Sequence, residues 1–358
     1  MSISAILIGL FFALNIGASG AAASMGIAYG SGVVKRRMAL LLCAFAVFLG
    51  AYFGGGEVVK TLGNGIIPSE TFTIAISIIV LFSAALSLFL ANILGIPLST
   101  SEVVVGSIIG AGLVYQTIFL EKIAWIILFW FLTPFLAFLL AIIGQLVLKV
   151  KPFQGLLRTQ VAVKILPLLL IVTGMFEAFS AGMNNVANAV GPLVGAGVMS
   201  IESGILLGGL FVAFGALFLG AKVLETNGKR ITSIRLEDGC LISGTGASIV
   251  TIASIYGIPV PLTQITTSSI IGIGFVKEGL SVLKKQVVMQ LFTVWIVSPL
   301  ISMVLSYTLI QILIEHNFYP IVVVIGVLIS VFGVVFLQTR KDAEMALTSN
   351  VFERKGEN

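Results

Sequence analysis

SAGMNNVANAVG, residues 180–191, sets Asn184, Asn185 and Asn188 between Gly182 and Gly191 inside an otherwise apolar run that extends over about 163–194. A primary amide facing hydrocarbon without partners costs several kcal/mol. Three of them cannot face lipid. They must turn toward other protein or a water-filled cavity, so this stretch reads as part of a polar site inside a bundle of membrane helices.

The rest of the chain agrees. Of its 358 residues 58 % are hydrophobic and 10 % charged, with 20 Lys and Arg against 15 Asp and Glu, a net charge of +5. A soluble domain carries roughly a quarter charged residues, so a sizeable water-exposed domain is excluded. The fold class expected is an all-α polytopic membrane protein. Met1-Ser2-Ile3-Ser4 has no basic run, and the first apolar segment reads as a retained helix rather than a cleaved signal. Cys43 and Cys240 stand alone in apolar surroundings and form neither a metal nor a disulfide pattern. His316 is the only histidine, which excludes a multi-histidine metal site. No phosphate-binding glycine–lysine loop or nucleophile–histidine pair occurs. No enzyme activity, metal or cofactor is expected, and the positive charge calls for anionic lipid rather than nucleic acid as its partner.

Apolar segments fall at about 4–29, 38–60, 72–93, 98–115, 122–149, 163–194, 201–225, 236–256, 260–276, 286–314 and 319–338. The segments 98–115 and 260–276 are short and polar, and each either crosses or turns back. Basic clusters decide, because cytoplasmic loops are rich in Lys and Arg. Such clusters occur at Lys35–Arg37, Lys149–Lys164, Lys229–Arg235, Lys277–Lys285 and Arg340–Lys341. With both segments crossing, all of them face the cytoplasm, and only Lys60 and Lys122 face outward. If both segments turned back, Lys149–Lys164 would land outside. The expectation is eleven crossings with the N-terminus out and the C-terminus in.

The two halves repeat. GASGAAASMG (17–26) aligns with GMNNVANAVG (182–191), and EVVKTLG (57–63) with KVLETNG (222–228) at the same offset. GIPLSTSEVVVGSIIG (95–110) aligns with GIPVPLTQITTSSIIG (257–272), and FWFLTP (129–134) with TVWIVSP (293–299). An odd number of crossings per copy inverts the second copy. The expected organisation is a first repeat over 1–150, an inverted second repeat over 161–314, and an extra helix with a cytoplasmic tail over 315–358. Inverted repeats with broken helices point to a secondary transporter.

Each copy carries two polar interruptions. One is expected to break the opening helix, at Gly17, Ser19, Gly20 and Ser24 or at Gly182, Asn184, Asn185 and Asn188. The other follows the Gly-Ile-Pro turn, at Ser99, Thr100, Ser101 and Glu102 or at Pro261, Leu262, Thr263 and Gln264. Proline ends a helix, a hydroxyl just beyond can cap the next, and helix starts attract anions. The substrate-binding set expected is Ser19, Gly20, Ser99, Thr100, Ser101, Asn184, Asn185, Asn188, Thr263 and Gln264, converging on an anion. Gly54–Gly56 read as helix-packing glycines. Glu57 and Lys60, with Lys222 and Glu225 matching them in reversed charge, read as intrahelical ion pairs. Glu102 and Glu177 are the acids at membrane depth and the candidates for proton coupling.

Nearly the whole chain resembles the inorganic phosphate transporter (PiT) family. The likeness rests on Gly182, Asn184, Asn185, Val186, Ala187, Asn188, Ala189, Gly191 and Pro192 in one motif and Pro97, Ser99, Thr100 and Ser101 in the other. The family's aspartate is replaced by Asn185 in the second copy and by Gly20 in the first. Its hairpin histidine is replaced by Glu102 and Gln264, and the second hairpin's Ser-Thr by Pro261-Leu262. The resemblance implies an anion transporter working by alternating access. The departures matter chemically. Phosphate near neutrality keeps a proton that a carboxylate can accept, whereas sulfate keeps none and would face an aspartate as a second bare anion. Sulfate import into the cell across the bacterial cytoplasmic membrane, coupled to protons, is therefore expected. Thiosulfate and related oxyanions stay open, as does assembly into a homo-oligomer. A sodium- or proton-coupled phosphate transporter and a passive anion channel are the alternatives.

Overall fold

The computed structural model describes residues 1–93, 98–230, 235–284 and 286–322. The chain forms two compact units, Met1–Tyr307 and Thr308–Asn358. Pro97, Lys285, Arg340, Lys341 and nearly all of the expected last helix lie outside the described residues. Every regular element among the described residues is helical. The principal helices are α1 (Ser2–Ile16), α2 (Arg36–Gly54), α3 (Ile74–Ile93), α4 (Thr100–Tyr115), α5 (Leu120–Leu148), α6 (Gln160–Gly195), α7 (Ile201–Phe214), α8 (Leu236–Ile255), α9 (Leu262–Glu278) and α10 (Gln286–Leu313). Eight segments among the described residues are long and apolar enough to cross a membrane. α4 and α9 are shorter, and at about 1.5 Å per residue they rise only about 24–26 Å, less than the roughly 30 Å of hydrocarbon. Large side chains such as Phe53, Phe131 and Phe218 point outward, as a surface facing lipid requires.

The expected break at 182–188 is absent. α6 runs without interruption through Gly182 and the three asparagines. Its glycines serve contact instead: a Cβ at Gly182 would stand 2.0 Å from the carbonyl oxygen of Val47, and one at Gly191 2.6 Å from Cβ of Leu62. Neighbouring helices hold the backbone in place, so weak helix propensity does not interrupt it. The first copy does depart from α-helix, in a π-helical turn over Gly17–Ala21.

The same kind of contact recurs. A Cβ at Gly17 would lie 1.9 Å from Val212 O, at Gly50 1.8 Å from Phe179 O, and at Gly215 2.0 Å from Leu14 O. α1 and α7, and likewise α2 and α6, thus meet backbone to backbone, as small residues allow in membrane helices. A second set joins α4 to α10 and α9 to α5. There a Cβ at Gly110 would lie 2.3 Å from Met303 O, and one at Gly272 2.5 Å from Phe138 O.

α3 with α4, and α8 with α9, form two helical hairpins. The base of the first is tied by the Thr71 and Thr117 hydroxyls, 3.1 Å apart, and by Phe119 N–H donating to Ile66 O at 2.9 Å. At the base of the second, Lys277 Nζ donates to Asp238 Oδ2 at 2.6 Å, and Arg235 Nη2 donates to Oδ1 at 3.2 Å. Gln145 of α5 closes this cluster: with its amide assigned to satisfy both neighbours, the nitrogen donates to Asp238 Oδ1 at 2.9 Å and the oxygen accepts from Arg235 Nη2 at 3.0 Å. Along α6 the two bases lie at opposite ends. A Cβ at Gly195 would be 3.0 Å from the Phe72 ring, whereas Cys240 Sγ reaches Leu166 O at 3.8 Å.

Asp238 is fully buried and nothing in the sequence singled it out. Asp238→Asn keeps its shape and removes its charge, and is expected to cost about 2 kcal/mol, the worth of charge-assisted hydrogen bonds. A lowered unfolding temperature of the detergent-solubilised protein would report it. Among the charged helix pairs, Glu57 accepts from Lys60 at 2.6 Å as expected. Glu225 instead accepts from Arg36 across helices at 2.8 Å.

Candidate functional site

The start of α4 and the loop before α9 converge on the middle of α6. Asn188 Nδ2 donates to Thr100 Oγ1 at 3.1 Å and to Ser101 Oγ at 3.2 Å. Asn184 Nδ2 donates to Ser101 Oγ at 3.3 Å and to Val260 O at 2.7 Å, while its Oδ1 accepts from Val260 N–H at 3.3 Å. Thr100 Oγ1 donates to Asn185 Oδ1 at 3.4 Å. All five side chains are buried. Trp130 of α5 anchors the same loop, its indole N–H donating to Pro259 O at 3.0 Å.

The three asparagines are not equivalent. Asn184 uses both ends of its amide to hold the α8–α9 loop. Asn188 spends its nitrogen on the α4 hydroxyls, and its buried oxygen has no hydrogen-bond partner among the described residues. Asn185 accepts through its oxygen, and its Nδ2 faces Gly20, where a Cβ would come within 3.5 Å. Asn185 is therefore the donor of this group that remains available.

Both helix starts lack a side-chain cap. Ser99 takes the extended N-cap conformation of α4, yet its hydroxyl makes no cap bond, contrary to expectation. At α9 the N-cap is Pro261, which has no capping group. The first-turn N–H groups of α4 thus keep the partial positive charge that suits an anion.

The other expected residues divide. Gly20 joins the cluster through Asn185. Ser19 turns back to its own helix, donating to Asn15 O at 2.9 Å. Thr263 is half-buried and makes no side-chain hydrogen bond to the cluster among the described residues. Gln264 Nε2 donates to Glu102 Oε1, and Ser298 Oγ of α10 donates to Glu102 Oε2 at 3.2 Å. Glu177, also buried, accepts from Thr266 Oγ1 of α9 at 2.7 Å. Ser298, Thr266 and Val260 were missed. Ser298 alone had a signal, since it precedes the repeated proline Pro299. No lysine or arginine takes part in these contacts. A seam of amides, hydroxyls and helix starts can hold an oxyanion by donation alone, exchanging its own hydrogen bonds for those of the ligand.

The family model described as the phosphate transporter family matches residues 16–306. The sulfate permease CysP of Bacillus subtilis (strain 168) is 53% identical over 338 residues, spanning 94% of this chain and 95% of that protein. Among solved structures, one titled "The sodium-dependent phosphate transporter" matches with a TM-score of 0.73 at 24% identity, covering 87% of this chain and 99% of that one. At that identity the likeness speaks for the fold.

Proposed function

Because the chain belongs to the phosphate transporter family, a multi-pass protein of the cell membrane, we propose that it imports sulfate by proton-coupled secondary active transport. The observation that carries this reading is Asn185. It stands where the family resemblance puts an acid, buried, with its amide nitrogen turned to Gly20, which takes the other acid's place. A fully deprotonated dianion meets the Asn185 amide there in place of the family's carboxylate. The sulfate permease relative supports the substrate.

Alternating access between two inverted copies, 1–150 and 161–314, is supported by contacts that occur twice with partners exchanged. Gly17 on Val212 matches Gly182 on Val47, and Gly50 on Phe179 matches Gly215 on Leu14, each at one offset (17 to 182, 47 to 212). Gly110 on Met303 likewise matches Gly272 on Phe138. The tied hairpin bases support the side assignment. Each hairpin begins and ends on one side, so Lys149–Lys164 stays cytoplasmic whether or not α4 and α9 cross fully. The N-terminus is then outside, and eleven crossings remain our count.

A hydrogen-bearing anion such as monohydrogen phosphate is the second reading. The Asn188 oxygen, without a partner among the described residues, favours it, because that oxygen could accept the ligand's hydrogen. Purified protein in liposomes, given a pH or a sodium gradient and sulfate or phosphate, distinguishes the readings. Sulfate accumulation driven by an inward proton gradient is expected. Sodium-driven phosphate accumulation without sulfate uptake overturns the proposal. Uptake that merely follows the ion's own electrochemical gradient identifies a channel.

A further inference from the structure

Two glutamates are buried at membrane depth, and their surroundings differ. Glu177 sits on α6 below the asparagines and is held by Thr266. Glu102 lies in the first turn of α4, directly after Thr100 and Ser101, whose hydroxyls touch the asparagines. Its carboxyl takes one hydrogen bond from Gln264 and one from Ser298, and borders an open, largely apolar groove of about 580 Å³ between α5 and α10. Facing it are Gln264 and Ser268 from α9, Ser298 and Pro299 from α10, and Trp130 and Pro134 from α5. No lysine, arginine, histidine or second acid lines this groove among the described residues.

Glu102 is thus an ionisable group with neutral partners only, in the same first turn of α4 whose N–H groups would receive the substrate. Gln264 is its counterpart in the other copy (102 to 264), so the pair holds a single ionisable position.

We propose that the Glu102 carboxyl carries the coupled proton, taking up one from the outer side when the anion is bound at the start of α4 and releasing it to the cytoplasm after the anion leaves. The assignment rests on the proton-coupled reading above. Two negative charges at one helix start repel in a low-dielectric interior, so the anion favours the protonated carboxyl. By reciprocity the proton favours the anion by the same factor, on the order of tenfold or more. Protonation at Oε2 leaves Gln264 its acceptor and turns the oxygen facing Ser298 into a donor, which alters the contact between α4 and α10 at the moment the anion arrives.

The test uses the full chain in liposomes, measuring sulfate accumulation under an imposed pH gradient and sulfate–sulfate exchange without one. Glu102→Gln is expected to lose accumulation by at least about tenfold, while exchange continues but no longer varies with pH. Glu177→Gln is expected to go on accumulating sulfate when a pH gradient is applied. Accumulation by Glu102→Gln overturns the assignment. A wild-type protein indifferent to the pH gradient overturns the proton-coupled reading, and the assignment with it. If Glu102→Gln does not fold, the wild type decides through a hydrophobic carbodiimide, which adds to protonated carboxyls in apolar surroundings. Labelling at Glu102 that rises with sulfate is expected; labelling at Glu177 alone overturns the assignment.

Discussion

Asn185→Asp is expected to lower sulfate uptake by about a hundredfold and to raise the ratio of phosphate to sulfate transported. The oxygen of Asn185 already accepts from Thr100 and Asn188, and both donors would serve an aspartate equally well, so the fold should tolerate the change. The other side of the amide is what alters. Its nitrogen, turned toward Gly20, becomes a carboxylate oxygen that can only accept. Sulfate offers no hydrogen to it. A lost donor to a charged ligand, combined with a buried like charge, is worth roughly 3 kcal/mol or more, which sets the hundredfold. Monohydrogen phosphate does bring a hydrogen and should lose less. The measurement is initial uptake of each labelled anion into liposomes containing equal amounts of folded protein. Sulfate uptake within a few fold of wild type would remove Asn185 from the binding site.

The second large effect concerns stability. Gly182→Val should yield no folded protein, because its Cβ would overlap the Val47 carbonyl at 2.0 Å and crowd the Ala51 backbone nitrogen at 2.9 Å. Overpacking a core commonly costs about 1–3 kcal/mol, and an overlap with the backbone of α2 exceeds what side-chain adjustment relieves. Gly155→Ala is the matched control, since a Cβ there meets nothing within 4 Å. Size-exclusion profiles and thermal unfolding in detergent separate the two. A monodisperse Gly182→Val protein with wild-type unfolding would contradict the backbone contact between α2 and α6.

Much of this was legible in the sequence. Charge scarcity and apolar runs marked the membrane helices, and the Gly-Ile-Pro turn at 257–259 marked the tip of the second hairpin. The aligned motifs marked positions that make the same contacts in space. The reading of 180–191 as a break failed for a specific reason. Glycine and asparagine weaken an isolated helix, but here Gly182 is demanded by the Val47 backbone, Gly191 by Leu62 Cβ, and the asparagines by the start of α4 and the loop before α9. Local propensity cannot distinguish a residue that ends a helix from one that lets another helix approach. The partners of Glu102 were hidden because Gln264 and Ser298 come from distant segments. Asp238 belongs to no motif, and its buried cluster with Lys277, Arg235 and Gln145 is assembled from three separate segments.

Two kinds of joint hold this molecule together, and they differ in what they permit. Where α1 meets α7, α2 meets α6, and α4 and α9 meet α10 and α5, glycine lies on carbonyl with no side chain between them. Such joints are dry and interlocked, and cannot slide without collision. Between these two groups of helices runs a polar joint of Asn184, Asn188, Thr100 and Ser101, whose bonds can be traded one for another. If anything parts during a cycle it should be that joint, and an oxyanion arriving there would act as the wedge and then as the new mortar.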